Sequence, residues 1–128
     1  MKDIKITVTS AFGVEGLLRR ELNRLGYTEG LTVGKGGVSL SGGPADIVRL
    51  NLWVRQGERV VIEAGSFPAA TFEELFQGVT ALPWENWLTA DAAFPVNGKC
   101  VKSTLHSVPD CQSIIKKAIV ERLRRKYP

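Results

Sequence analysis

The sequence has few of the residues from which metal centres and disulfide scaffolds are built. Its 128 residues include two cysteines and one histidine. Cys100 and Cys111 lie eleven positions apart and lack the paired spacing of a zinc site. His106 alone cannot supply a His-rich metal site or a two-histidine relay. The composition therefore predicts neither a metal site nor catalytic residues. We expect both cysteines to be small, buried apolar side chains.

Long hydrophobic runs are also missing. No apolar stretch approaches the roughly 20 residues that a membrane-spanning helix needs, and the charged N-terminus is not followed by the apolar core of a signal peptide. Hydrophobic residues make up 44% of the chain and charged residues 23%, which is typical of a folded domain. We expect a cytoplasmic protein with a buried core and no membrane partner.

The net charge of +4 is distributed unevenly. Residues 99–128 carry eight bases and two acids, whereas residues 63–98 carry five acids and no base. A basic end beside an acidic middle is typical of a surface that attracts a polyanion. A solvated lysine-rich face is the alternative interpretation.

Hydrophobic periodicity in the first half predicts the order β-α-β-β-α-β, which is the ferredoxin-like arrangement of one antiparallel sheet with both helices on one face. The predicted strands and helices cover residues 4–10, 14–25, 31–33, 38–40, 44–56 and 59–64. Trp53 falls in the second helix, where we expect it to be part of the core. The glycines of 34–37 could form a phosphate-binding loop, but they precede a strand rather than a helix, which favours a hairpin turn.

The second half predicts helix, strand and helix. Thr71 and Glu74 have capping-box spacing at the start of one helix, strand pieces are expected at 93–96 and 100–101, and the last helix runs from Ser107 to Lys126. One strand cannot form a sheet alone, which suggests a fragment of a longer protein. The two tryptophans of this half, Trp84 and Trp87, could stack on bases, although packing between domains is favoured.

The last helix has two chemically different faces. One half of its helical wheel is apolar, and the other half is polar and basic. The apolar residues are Cys111, Ile114, Ile115, Ala118, Ile119 and Leu123. The opposite half holds Ser113, Lys116, Lys117, Val120 and Arg124. Cations at a helix C-terminus complement its dipole, but Lys116 and Lys117 lie mid-helix, where that explanation does not apply.

Three segments carry a family resemblance. They are KSTLHSVPDCQSIIKKAIVE at 102–121, GVEGLLRREL at 13–22 and GGVSL at 36–40. Together they resemble the THUMP-containing bacterial 23S ribosomal RNA guanine-N2 methyltransferases. The resemblance implies a ferredoxin-like domain at 1–65 and an RNA-binding THUMP domain at 66–128, incomplete at its C-terminal end. It also implies a separate Rossmann-like domain that uses S-adenosylmethionine. Neither a cofactor loop nor the Asn/Asp-Pro-Pro-aromatic motif of such enzymes occurs here, so this chain should not methylate anything alone.

The resemblance thus implies a module that captures and orients structured ribosomal RNA for the missing methyltransferase domain. Basic side chains would neutralise phosphates, and hydroxyl and amide groups would bind phosphate, 2′-hydroxyl or base edges. The candidate RNA-binding residues are Lys99, Lys102, Ser103, Thr104, Gln112, Lys116, Lys117 and Arg124. Arg19 and Arg20 are weaker candidates. The alternative function is a protein-docking module in which the acidic, aromatic block 67–91 contacts another domain.

Overall fold

The chain has a mixed α/β fold, as the sequence predicts. A computed structural model describes residues 4–101 and 103–127. The chain divides into two compact units, Met1–Glu63 and Ala64–Pro128. The first unit contains a four-stranded sheet and two helices, and the second is built around two further helices.

The first unit has the predicted ferredoxin-like order of elements. The elements are β1 (Ile4–Thr9), α1 (Glu15–Arg24), β2 (Thr32–Gly34), β3 (Gly37–Gly42), α2 (Pro44–Trp53) and β4 (Arg59–Ile62). The strands form one antiparallel sheet in the order β2-β3-β1-β4.

The core of the first unit follows from alternation in its central strand. Ile4, Ile6 and Val8 of β1 are buried because every second side chain of a strand points to the same face. Leu22 of α1 and Leu50 of α2 are buried as well, and both helices contact the sheet. The helices therefore supply the apolar cover that this face of the sheet needs.

The glycine cluster forms the predicted hairpin turn between β2 and β3. Gly36 has a φ of +82°, a conformation that side chains other than glycine rarely adopt. Its carbonyl accepts a hydrogen bond of 2.7 Å from the backbone N–H of Ser10. The phosphate-loop alternative does not hold, because β3 rather than a helix follows the glycines.

The core assignment of Trp53 is wrong. Its side chain is 60% exposed, and Val48 and Leu52 of the same helix are 59% and 71% exposed. The ten-residue α2 presents only a narrow stripe to the sheet, with Leu50 buried in it. Hydrophobic residues outside that stripe remain in solvent. Periodicity predicts which residues share a face of a helix, but it does not predict how much of that face the sheet covers.

The second unit packs α3 (Phe72–Thr80) against α4 (Val108–Lys126), with a short 3₁₀ turn at Trp84–Asn86 between them in sequence. The predicted cap of α3 is confirmed, since the Thr71 hydroxyl accepts a 3.1 Å hydrogen bond from the N–H of Glu74. The buried core residues are Val79, Ala118, Ile119 and Leu123. The half-buried residues packed against them are Phe67, Leu75, Phe76, Trp84, Leu88, Phe94, Val96 and Ile115.

The strand pieces expected at 93–96 and 100–101 are not formed. Within residues 64–101 and 103–127 the structure contains no β-strand. A strand requires backbone hydrogen bonds to a neighbouring strand, and the described part of this unit supplies none. Instead, Phe94 and Val96 pack as half-buried side chains against the helical core.

Trp84 belongs to the core of its own unit. Its indole N–H donates a 2.7 Å hydrogen bond to the carbonyl of Val79, and its ring packs on the buried cluster. Trp84 is therefore a packing residue of the second unit. Among the described helices, none is both long enough and apolar enough to cross a membrane.

Candidate nucleic-acid interface

The two faces of α4 lie in different environments, as its helical wheel predicts. Cys111, Ala118, Ile119 and Leu123 are buried, and Ile114 and Ile115 are half-buried. On the other side, Ser113, Lys116, Lys117 and Arg124 are exposed and Val120 is half-buried. The buried face fixes the helix on the unit core, which gives the exposed cations a defined spacing and direction.

These exposed residues surround a shallow depression of about 390 Å³. Its lining consists of Ser113, Lys116, Lys117, Val120, Glu121 and Arg124. We call this surface the α4 basic face. Among the described residues, Lys116, Lys117 and Arg124 make no ion pair, whereas Glu121 lies 3.7 Å from the guanidinium of Arg125. The three cations are thus available to a ligand, and the single acid of the face is partly neutralised.

An aromatic ring borders the basic face. The ammonium of Lys116 lies 5.9 Å from the centroid of the Phe94 ring, within cation–π range. Ala92, Ala93 and Pro95 continue this border next to Lys116 and Val120. Sequence reasoning missed this contact because 22 residues separate the two side chains.

A second group of basic residues on α4 is already paired with an acidic side chain. The guanidinium of Arg122 donates two hydrogen bonds to the carboxylate of Glu85, at 3.0 and 2.7 Å, and Lys126 lies 3.9 Å from the same carboxylate. The Arg122 hydrogen bonds lower the pKa of Glu85 to about 2. Glu85 in turn raises the pKa of Arg122. We call the contact of Glu85 with Arg122 and Lys126 the clamp. It joins the 3₁₀ turn to α4, and it leaves Arg122 unavailable to a ligand.

The clamp predicts an acid-dependent loss of stability in the second unit. Because the pKa of Glu85 is lower in the folded chain than in the unfolded chain, ionised Glu85 stabilises the fold. This stabilisation is complete above about pH 5 and is lost as the pH falls toward 2. Replacing Glu85 by Gln should lower the urea midpoint near neutral pH, and the difference from wild type should disappear by about pH 2.

Glu121→Gln is the matched control, since it removes a carboxylate from a looser and more exposed pair on the same helix. We expect its urea midpoint to remain close to that of wild type, because exposed ion pairs contribute little. A Glu85→Gln chain with the same acid dependence as wild type would show that the clamp does not stabilise the unit.

The remaining candidate RNA-binding residues lie near the N-terminal end of α4. Lys99 and Ser103 line a second cleft, and Ser103 accepts a 3.2 Å hydrogen bond from the N–H of Leu105. Thr104 is exposed, and Gln112 is half-buried in the first turns of the helix. Lys102 lies outside the described residues. The structure therefore gathers Lys116, Lys117 and Arg124 on one face and places Lys99 and Ser103 in another cleft.

The glycine turn that leads into α2 already binds a carboxylate of its own. Gly42 and Gly43 do stand between a strand and a helix, but the carboxylate of Asp46 already accepts the N–H of Gly43 at 2.9 Å. The backbone N–H of Gly43 and the Tyr27 hydroxyl lower the pKa of Asp46, so the N-terminus of α2 carries its own anion. Across residues 4–101 and 103–127, no group of three or more potential metal ligands occurs.

Comparison with known families assigns both units. Residues 5–61 match the model of the RlmL ferredoxin-like domain, and residues 69–127 match the model of the THUMP domain. The chain is an RlmL ferredoxin-like domain followed by a THUMP domain. The α4 basic face therefore belongs to the THUMP domain.

Two relatives are named as RNA methyltransferases. YpsC of Bacillus subtilis (strain 168), named as an RNA methyltransferase, is 44% identical over 124 residues, which is 97% of this chain and 32% of YpsC. The ribosomal RNA large subunit methyltransferase K/L of Syntrophotalea carbinolica is 32% identical over 124 residues, which is 97% of this chain and 17% of that protein. The chain thus spans a third or less of the length of these relatives.

Two solved structures are similar to nearly the whole chain. A protein of Listeria monocytogenes described as a predicted N6-adenine-specific DNA methylase is 51% identical, with a TM-score of 0.93 over 99% of this chain and 33% of its own. SMU.472, described as a methyltransferase and crystallised with SAH, is 45% identical, with a TM-score of 0.92 over 99% of this chain and 33% of its own.

Proposed function

We propose that this chain is the RNA-binding part of an S-adenosylmethionine-dependent methyltransferase that acts on guanine N2 of 23S ribosomal RNA. In this role the THUMP domain captures and orients structured RNA for a catalytic domain that the chain does not contain. The proposal rests on the α4 basic face, where Lys116, Lys117 and Arg124 are exposed and make no ion pair among the described residues. The names of two relatives support RNA methylation in general, and guanine N2 as the target is what the resemblance of the sequence implies.

The geometry suits a phosphate backbone better than a small molecule. The depression is shallow and bordered by three cations, and long flexible side chains can follow the spacing of successive phosphates. Ser113 and the side chains near the first turn of α4 add hydrogen-bond donors for phosphate or 2′-hydroxyl oxygens. Phe94 provides an aromatic edge beside Lys116. Charge supplies most of the affinity in this arrangement, so binding should depend steeply on salt.

The acidic, aromatic block 67–91 does not support the docking alternative. Phe67, Phe76 and Trp84 pack against the core of the THUMP domain, and Glu85 is paired with Arg122. These four residues of the block are therefore used within the domain itself. The three cations of the α4 basic face, in contrast, make no ion pair among the described residues.

Binding of a fluorescently labelled ribosomal RNA hairpin, measured by anisotropy, tests the proposal. We expect binding at about 50 mM salt that weakens steeply toward about 300 mM. Heparin should displace the RNA, and a DNA duplex of the same length should bind more weakly. Absence of RNA binding at low salt, or equal preference for the DNA duplex, would contradict RNA capture by this module.

A further inference from the structure

The two cysteines of the sequence line one cleft of the THUMP domain. The cleft has a volume of about 430 Å³. Cys111 lies in the first turn of α4 and is only 8% exposed, whereas Cys100 lies in the preceding segment and is half-buried. None of the proposed RNA contacts uses either thiol.

A backbone contact holds the segment of Cys100 against the helix. A Cβ atom built on Gly98 would lie 3.1 Å from the Cγ of Gln112 and 3.5 Å from a methyl group of Val108. Val108 and Gln112 are four positions apart on α4, and Cys111 lies in the same turn. The chain two residues before Cys100 is therefore packed against the turn that carries Cys111.

The surroundings of Cys111 make its thiol harder to ionise. Burial raises the pKa of the Cys111 thiol, and the neighbouring thiol of Cys100 raises it further. Cys111 consequently stays protonated near neutral pH and is a poor first nucleophile. Cys100 lies on an open cleft that a small molecule can enter.

We propose that Cys100 and Cys111 form a reversible intramolecular disulfide by exchange with a low-molecular-weight disulfide. The cleft that both residues line and the contact of Gly98 with α4 bring the two side chains together. The resulting link would close the loop from residue 100 to residue 111, which carries Ser103 and Thr104. The inference does not depend on the proposed RNA binding.

The exchange proceeds in two balanced steps. In the first, the Cys100 thiolate attacks one sulfur of the small disulfide, which forms a mixed disulfide and releases one small thiolate. In the second, Cys111 loses its proton and attacks the sulfur of Cys100, which forms the protein disulfide and releases the second thiolate. The two protein thiols lose two electrons and two protons, and the small disulfide is reduced to two thiols.

Redox titration of the chain in mixtures of reduced and oxidised glutathione tests this proposal. Mass spectrometry after acid quenching should show a monomer that has lost about 2 Da, the mass of two hydrogens, and carries no glutathione. Since the residues are close in sequence, the unfolded chain will also close this loop. The decisive quantity is therefore the effective concentration of one thiol with respect to the other. It should be at least about tenfold higher in the native chain than in the chain unfolded in urea.

Two variants control the experiment. The Cys100→Ser and Cys111→Ser chains each retain one thiol and should yield only a glutathione adduct or a disulfide-linked dimer. The wild-type measurement stands even if a variant folds poorly. An effective concentration in the native chain equal to or below that in urea would overturn the proposal. A wild-type product made up mainly of glutathione adducts or dimers would overturn it as well.

Discussion

Replacing Gly78 by Ala should destabilise the THUMP domain by about 2–3 kcal/mol, although alanine is the better helix former. The Cβ atom of alanine at this position of α3 would overlap Cε2 and Cδ2 of the Phe67 ring and lie 2.5 Å from its Cζ. The ring is half-buried and packed against the buried cluster of the domain, so displacing it would cost packing contacts. The gain of about 1 kcal/mol in helix propensity offsets only part of this strain.

Urea unfolding followed by tryptophan fluorescence measures this effect. The experiment is best done in a Trp53→Phe background, because Trp53 is the only tryptophan of the first unit and is 60% exposed. Fluorescence then reports on Trp84 and Trp87 of the THUMP domain. A Gly78→Ala chain as stable as its parent would show that Phe67 does not pack against α3 at this point.

Gly16→Ala is the matched control, read by circular dichroism because the substitution lies in the first unit. Gly16 lies in α1 and is exposed, and a Cβ atom added there would have no neighbouring atom within 4 Å. The change should be neutral or stabilising by up to about 1 kcal/mol. A second test combines Gly78→Ala with Phe67→Ala, which removes the ring. The double variant should lose less stability than the sum of the two single changes.

Reversing the charge of Lys116 and Lys117 together should weaken RNA binding by about 100-fold or more. A hydrogen bond to a charged group contributes about 1.5 kcal/mol or more, so the loss of two such contacts corresponds to two decades in affinity. Both side chains are exposed and make no ion pair among the described residues, so Lys116→Glu plus Lys117→Glu should leave the fold intact.

A control of equal charge change separates a local contact from the overall field. Lys35 and Arg55 are exposed residues of the first unit. The Lys35→Glu plus Arg55→Glu chain has the same net charge as the α4 variant. We expect it to lose less than about tenfold in RNA affinity, because charges that do not contact the ligand act only through a screened field. Equal losses of RNA affinity in the two variants would show that the α4 basic face does not contact the RNA.

Local sequence signals predicted the parts of the structure that local physics determines. The Thr71 cap, the hairpin turn at Gly36 and the two faces of α4 depend on a few adjacent residues or on helical periodicity. The same signals predicted the order of elements in the first unit. The THUMP resemblance then added the expected function, which periodicity alone does not contain.

The features that sequence reasoning missed depend on contacts between distant residues. The Glu85–Arg122 clamp joins side chains 37 positions apart. The helical wheel places Arg122 on the apolar side of α4, but it does not identify the partner of Arg122. Trp53 was misassigned because the width of the covered stripe on α2 depends on the sheet beneath it. The strand pieces near Phe94 and Cys100 failed for a similar reason, since a strand depends on a partner and not on its own alternation.

The salt dependence of RNA affinity tests the central claim most directly. The logarithm of the association constant should fall linearly with the logarithm of salt concentration for the wild-type chain. Neutralising two phosphate contacts with Lys116→Gln plus Lys117→Gln should reduce the slope by about 1.4 to 1.8, because each contact contributes about 0.7 to 0.9. The account predicts this reduction together with weaker binding at low salt. An unchanged slope would contradict it, because the two lysines would then contact no phosphate.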